Sequence, residues 1–362
     1  SISYVDGYGS TESITSSASE EIIPSLKIRG NSFYLVVEGP NWTEAEANGN
    51  KLGGNLVTIN NNDENNWIIE NFASLVTYNG RKGDTETNDP DYIPRAWIGL
   101  NDRNEEGIYQ WVSGEEITYR GTLDSGHFSG MQNTYGRFDP NTGLRDNSLP
   151  LITAFIDQDV SAIQLGGTST DFWFPGAWED TWNNYTHMSE GIVEVPFIRR
   201  NDSAYVIVEG PTWEEAEANA VSLGGHLVSI NDSEENEWIK SEFSKENYYY
   251  SGDSNPGDPE TWLHFWIGAT DKNIEGQWEW SSGEEWNFND EIESENLTAN
   301  YQYPERDYIA VIFNVPTMGN YYWSNGEDKY DPNNNNNFRG IAEIKLAPNN
   351  LPTGELLING NL

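Results

Sequence analysis

The chain has 362 residues, too many for one small core and enough for two domains. Its 59 acidic side chains against 19 basic ones give a formal net charge of −40, which repels nucleic acid and excludes it as a partner. There is no cysteine, so disulfides, thiol nucleophiles, cysteine zinc sites and iron–sulfur clusters are excluded too.

The acidity has two readings, solubility and the clustering of carboxylates around hard cations such as calcium. No apolar run approaches the roughly 18 residues of a membrane span, so no membrane insertion is expected. The first residues lack the basic start and apolar centre of a signal peptide, which suggests a processed or excised piece. Residues 1–31 are Ser- and Glu-rich and read as a flexible or strand-like leader. Its SISYVDGY segment could add to a neighbouring sheet edge, so other copies of the chain are candidate partners.

The stretch from Tyr34 to Phe72 returns from Tyr205 to Phe243 without a gap, with Trp42 and Trp213 standing 171 positions apart (213 − 42). A long ungapped repeat means two copies of one folded unit. YLVVEG reads as a strand closed by Gly-Pro. Asn41 then caps a helix, with Glu44 completing a capping box, and Thr212 and Glu215 repeat the pattern. Trp42, Ala45, Gly49 and Leu52 fall at helical spacing, and Gly53-Gly54 ends the helix. After the strand NLVTIN, Asn62 or Asp63 opens a second helix, with Trp67, Ile68 and Phe72 as its buried stripe. Asp232 and Glu235 repeat that start.

A polar insertion precedes RAWIGLND in copy one and HFWIGATD in copy two. A hairpin follows, with Trp111 matching Trp280. The copies then diverge in a long loop before the late strands LITAFI and DYIAVIF. They close on GIVEV and GIAEI. Two early helices with several later strands give an α+β unit. The predicted divisions are a leader over 1–31, domains over 32–198 and 203–346, a short linker over 199–202, and a segment over 347–362. NNLPTGELLING in that last segment resembles the opening of an immunoglobulin-like module. The linker is so short that the domains should touch.

Both copies resemble C-type lectin-like domains. The resemblance rests on WTEAEANGNKLGGNLVTIN and WEEAEANAVSLGGHLVSIN, on WIGLND and WIGATD, on the late Trp, and on the closing strands. It implies two tandem α+β domains, each with two helices, a small mixed sheet and a long loop region. The family usually bridges its first helix to its last strand with a disulfide. Those positions hold Gly49 and Val193 in copy one, and Ala220 and Ala342 in copy two. This departure favours bacterial versions of the family.

The resemblance also implies a calcium ion in the loop region, held by an acid/amide pair flanking a proline and by residues after the late Trp. Two sugar hydroxyls would complete its oxygen shell. Copy one offers Asp139 and Asn141 about Pro140, then Glu179 and Asp180 after Trp178. All of these but the proline form the candidate ligand-binding set, Asp139, Asn141, Trp178, Glu179 and Asp180. A plain β-turn is the competing reading of Asp-Pro-Asn. Copy two offers Glu305, Asp307, Asn325, Glu327 and Asp328, with Tyr303 breaking the proline pair. Glu64 and Glu235 could join a structural ion, although acids at helix N-termini have a simpler explanation.

No nucleophile elbow, phosphate loop or dinucleotide fingerprint is present, and adjacent acids such as Glu115-Glu116 point apart on a strand, so no enzyme is expected. The leading expectation is a calcium-dependent carbohydrate-binding adhesin module of a secreted or cell-surface bacterial protein. Its partner would be a glycan or a surface protein. The alternative is a structural or protein-interaction subunit of an extracellular filament or stalk, with calcium only stabilising the domains.

Overall fold

The computed structural model describes residues 2–5, 11–14, 26–76, 94–105, 108–121, 159–166, 174–183, 188–244, 262–288, 306–314, 320–326 and 338–346. Strands β1 (Ile2–Val5) and β2 (Thr11–Ile14) pair antiparallel with each other in a sheet of their own.

The first domain runs β3 (Lys27–Arg29), β4 (Ser32–Glu38), α1 (Trp42–Lys51), β5 (Asn55–Leu56), α2 (Asn62–Phe72), β6 (Arg95–Asn101), β7 (Gln110–Trp111), β8 (Val160–Gln164), β9 (Trp178–Thr181) and β10 (Glu190–Pro196). The second repeats it as β11 (Ile198–Arg200), β12 (Ser203–Glu209), α3 (Trp213–Ser222), β13 (His226–Leu227), α4 (Ser233–Phe243), β14 (Trp262–Thr270), β15 (Glu279–Trp280), β16 (Tyr308–Asn314), β17 (Asn320–Gly326) and β18 (Arg339–Lys345). The sheet orders are β3-β4-β10-β6-β8-β9 and β11-β12-β18-β14-β16-β17. Both sheets are mixed, because β10 meets β6 in parallel at Gly191 and Trp97, and β18 meets β14 in parallel at Gly340 and Trp266.

The helices form where their caps and periodicity put them. Asn41 accepts the Glu44 N–H at 2.9 Å, and Asp232 accepts that of Glu235 at 2.7 Å. The second helix of the first domain is capped by Asn61, one residue before the predicted start. Trp42 donates its indole N–H to the Ile98 carbonyl at 2.7 Å, and Trp213 does the same to Ile267 at 2.8 Å, pinning each first helix to the central strand. Trp97, Trp111 and Trp178 fill the first core, and Trp266, Trp280 and Trp323 the second. Trp67, expected in the buried stripe, is half-buried and packs edge-on against Tyr34.

At the family's bridge positions, a Cβ on Gly49 would stand 2.9 Å from Val193 Cγ2. Ala220 and Ala342 are fully buried. Packing occupies both places.

The stretch LITAFI, expected as the first domain's late strand, lies outside the described residues, and the strand that pairs with β6 is Val160–Gln164. Two further segments differ from the sequence reading. Lys27–Arg29, placed in the leader, is an edge strand of the first sheet. Ile198–Arg200, placed largely in the linker, is the edge strand of the second. Each turns into the next strand through a residue of positive φ, Gly30 at 61° and Asn201 at 54°, as two-residue hairpin turns require. A three-residue strand with one isoleucine and two charged residues carries too little alternation to be recognised alone. The domains do touch: one buried apolar cluster contains Val195 and Phe197 from one side and Ala204 and Val206 from the other.

Candidate functional site

Strand β9 carries Trp178, Glu179 and Asp180. Trp178 is 1% exposed, donates its indole N–H to the Asn65 side chain at 2.9 Å, and packs edge-on against Trp111 and Tyr119. It belongs to the core and offers no ring face to a ligand, which corrects its expected place in a binding surface. Glu179 and Asp180 are both buried and, as strand neighbours, point to opposite faces. Glu179 lies 3.2 Å from the Arg95 guanidinium on β6. Burial raises its pKa, with Arg95 and Gln164 acting against the rise. Asp180 accepts the Tyr109 hydroxyl at 2.8 Å. Asp139 and Asn141, the proline-flanked pair, lie outside the described residues.

In the second domain the structure gathers a different set. Asp271, Glu275 and Asp307 each offer a carboxylate oxygen, and the three oxygens lie within 4.8 Å of one another. Asp271 is 1% exposed at the end of β14, and its Oδ2 accepts the Gly276 N–H at 2.8 Å. Its backbone N–H reaches the Asp307 carbonyl at 3.1 Å, so the pairing of β14 with β16 brings the acids together. The first domain repeats the frame: Asp102, also 1% exposed, reaches the Asp159 carbonyl at 3.1 Å. Glu106 matches Glu275 in sequence and lies outside the described residues. Of the five ligands expected in copy two, Asp307 is here. Glu305, Glu327 and Asp328 lie outside the described residues, and Asn325 is on β17.

Three carboxylates converging on one region, with one of them buried, fit a hard cation with its demand for about six to eight oxygen ligands. Asp271 and Glu275 were not singled out from sequence. The available signal was the Asp-x-x-x-Glu-Gly spacing, present at 102–107 and again at 271–276.

A second charged cluster is also built twice. Tyr34 donates to Glu64 at 2.8 Å and to Glu194 at 2.9 Å, and Arg29 approaches Glu64 at 3.4 Å. Tyr205 donates to Glu235 at 2.7 Å and to Glu343 at 3.2 Å, with Arg200 at 3.1 Å from Glu235. Burial raises the pKa of both tyrosines and of Glu194 and Glu235. An arginine from the extra edge strand thus supplies positive charge to each cluster, and in the second Lys345 adds another cation 2.6 Å from Glu343.

The duplicated helix–sheet unit agrees with the sequence families. The family described as Lectin C-type domain matches residues 38–137 and again 209–311, together more than half of the chain. The chain belongs to the C-type lectin domain family. Among its C-type lectin relatives, a perlucin-like protein of Mytilus galloprovincialis is 32% identical over 72 residues, covering 20% of this chain and 38% of its own. The hemolymph lipopolysaccharide-binding protein of Periplaneta americana is 32% identical over 121 residues, covering 32% of this chain and 43% of its own. C-type mannose receptor 2 of Rattus norvegicus is 27% identical over 242 residues, covering 64% of this chain and 14% of its own. The chain spans less than half the length of the curated relatives it matches. Among solved structures, the mouse scavenger receptor C-type lectin carbohydrate-recognition domain aligns with TM-score 0.28 and 16% identity, over 49% of this chain and 99% of its own. Among the described residues, no helix is long and apolar enough to cross a membrane.

Proposed function

We propose that the chain is a tandem carbohydrate-binding module that works with calcium and belongs to an extracellular or cell-surface adhesin-like protein of a bacterium. The carrying observation is the match of the Lectin C-type domain family to both copies. The names of two relatives, which speak of lipopolysaccharide and of mannose, support a saccharide ligand.

In this reading Asp271, Glu275 and Asp307 hold one calcium ion, and Asp102, Glu106 and Asp159 hold its counterpart. Asp139, Asn141 and Asp180 in the first domain, and Glu305, Asn325, Glu327 and Asp328 in the second, are the proposed loop ligands. Glu179 would have to leave Arg95 to join them. Bound calcium supplies a positive centre that sugar hydroxyls can ligate. The protein's own part is to hold its carboxylates in place, as the Tyr109 hydroxyl does for Asp180. The domains act as a binding module, not as an enzyme.

A glycan-array screen of the protein in calcium and in excess EGTA tests this. Binding in calcium that EGTA abolishes is expected. Folded protein that binds no glycan in either buffer contradicts the proposal.

A further inference from the structure

We infer that a cleft of the first domain, rimmed by Arg103, takes the carboxylate of an acidic sugar, so that the glycan this chain binds carries a hexuronate. The inference rests on the carbohydrate-binding reading above and names its ligand class.

Arg103 follows the end of β6 and lays its guanidinium over the ring of Trp42 at the start of α1, 5.4 Å from the centroid. Trp42 is itself fixed by its bond to the Ile98 carbonyl. The cleft beside them measures about 550 Å³, within the range of small-ligand sites. Thr43, Asn104 and Gln110 share its exposed rim with Arg103. A guanidinium stacked on a ring keeps its N–H edge free for a carboxylate, which it can hold with two parallel bonds. Glu46, an acid in the lining, has both oxygens engaged, one by the Asn50 side chain at 2.8 Å and the other by the Leu56 N–H at 2.7 Å.

The second domain shows what this place accepts. Lys272 matches Arg103, and Glu214 matches Thr43. Tyr308 pairs with Thr270 where Val160 pairs with Asn101. Lys272 donates to the Glu214 carboxylate at 2.7 Å, and the Tyr308 hydroxyl donates to the same oxygen. Asn273, which matches Asn104, donates to Glu279, which matches Gln110. The second domain thus ties its cation and its amide to carboxylates of its own.

In the first domain each of those ties is missing. Thr43 and Val160 bring neither carboxylate nor phenol, and the Thr43 hydroxyl is bonded to Asn183 at 3.1 Å. Among the described residues Arg103 has no ion pair, and the side chains of Asn104 and Gln110 have no hydrogen bond. A cation beside two amides matches a carboxylate with ring hydroxyls next to it, and the carboxylate of Glu214 on Lys272 marks the kind of anion the place fits. A chain of net charge −40 repels an acidic glycan at long range, so holding one needs a fixed local cation, which Arg103 supplies.

An array of paired glycans tests the inference, the members of each pair differing only in glucuronate or galacturonate against glucose or galactose, with sulfated hexoses beside them. It is probed with the full chain in calcium over a range of protein concentrations. The uronate member should half-saturate at about tenfold lower concentration than its neutral partner. Arg103→Gln should bring that ratio close to one. Thr43→Glu should do the same, because it gives Arg103 a carboxylate of the chain's own, as Glu214 does for Lys272. Both positions are exposed, and unchanged thermal midpoints confirm that the variants fold. Lys51→Gln, a loss of equal charge at the far end of α1, should keep the preference. Binding without a preference, a preference that survives Arg103→Gln or Thr43→Glu, or an equal preference for the sulfated hexoses would overturn the inference while leaving the calcium-dependent reading in place. Folded protein that binds neither member of any pair would fail that reading, and the inference with it.

Discussion

Glu235 illustrates how a single residue here answers to several forces. It lies beneath the edge strand β11, bonded to Tyr205 and the Asn231 N–H, with Arg200 beside it. Burial is the largest influence and raises its pKa, as it does for Glu194 and Glu46. A folded-state pKa above the unfolded one means that the folded protein keeps the proton longer. The stability these three groups contribute is therefore complete below the unfolded value of about 4.3 and is lost as pH rises through their folded values. Thermal unfolding in chelator should show a higher midpoint near about pH 5 than near about pH 8, and Glu235→Gln should flatten the slope. A midpoint that rises over that range would contradict this account of the cluster. Removing the guanidinium instead takes the paired cation from Glu235, while Glu343 keeps Lys345 at 2.6 Å. Arg200→Ala should cost about 2–4 kcal/mol in denaturant unfolding at neutral pH.

At the scale of elements, the tryptophans carry the packing. Trp97 is fully buried on β6 and donates its indole N–H to the Gly39 carbonyl at 3.0 Å. Trp97→Ala should cost about 3–5 kcal/mol by chemical denaturation, whereas Ile274→Ala, at a 56% exposed side chain, should stay within about 0.5 kcal/mol. The near contact between Gly49 and Val193 makes a further prediction. Gly49→Cys with Val193→Cys should oxidise to a disulfide, measured by thiol loss, and raise stability by about 2–4 kcal/mol. A pair that stays reduced would show that the two elements do not meet as described.

The helices, their caps and the central strands were legible because periodicity, capping residues and an ungapped repeat pointed the same way. The edge strands at Lys27 and Ile198 were not, since three residues give no period. Their one visible trace is the 171-residue offset reaching back from Arg200 to Arg29. Asp271 and Asp307 are far apart in the chain and meet only because β14 pairs with β16. Sequence placed Asp307 in a ligand set but gave it other companions. Glu179 looked like a free ligand because nothing in the sequence placed Arg95 beside it.

For the whole molecule, charge and duplication decide most. A net charge of −40 works against compactness, and bound cations or salt relieve the repulsion. Calcium added to chelator-treated protein should raise the unfolding midpoint, and Asp271→Ala should remove part of that gain. An equal gain in the variant would place the ion elsewhere. The two copies share a scaffold while their late loops diverge, so one fold can present two different binding faces. The glycan array tests that claim most directly, with the native protein run beside Asp180→Ala and Asp271→Ala in calcium and in EGTA. Glycan binding that requires calcium and is lost or weakened in at least one variant is expected. Folded native protein that binds no glycan, or binds it equally well in EGTA, would contradict it.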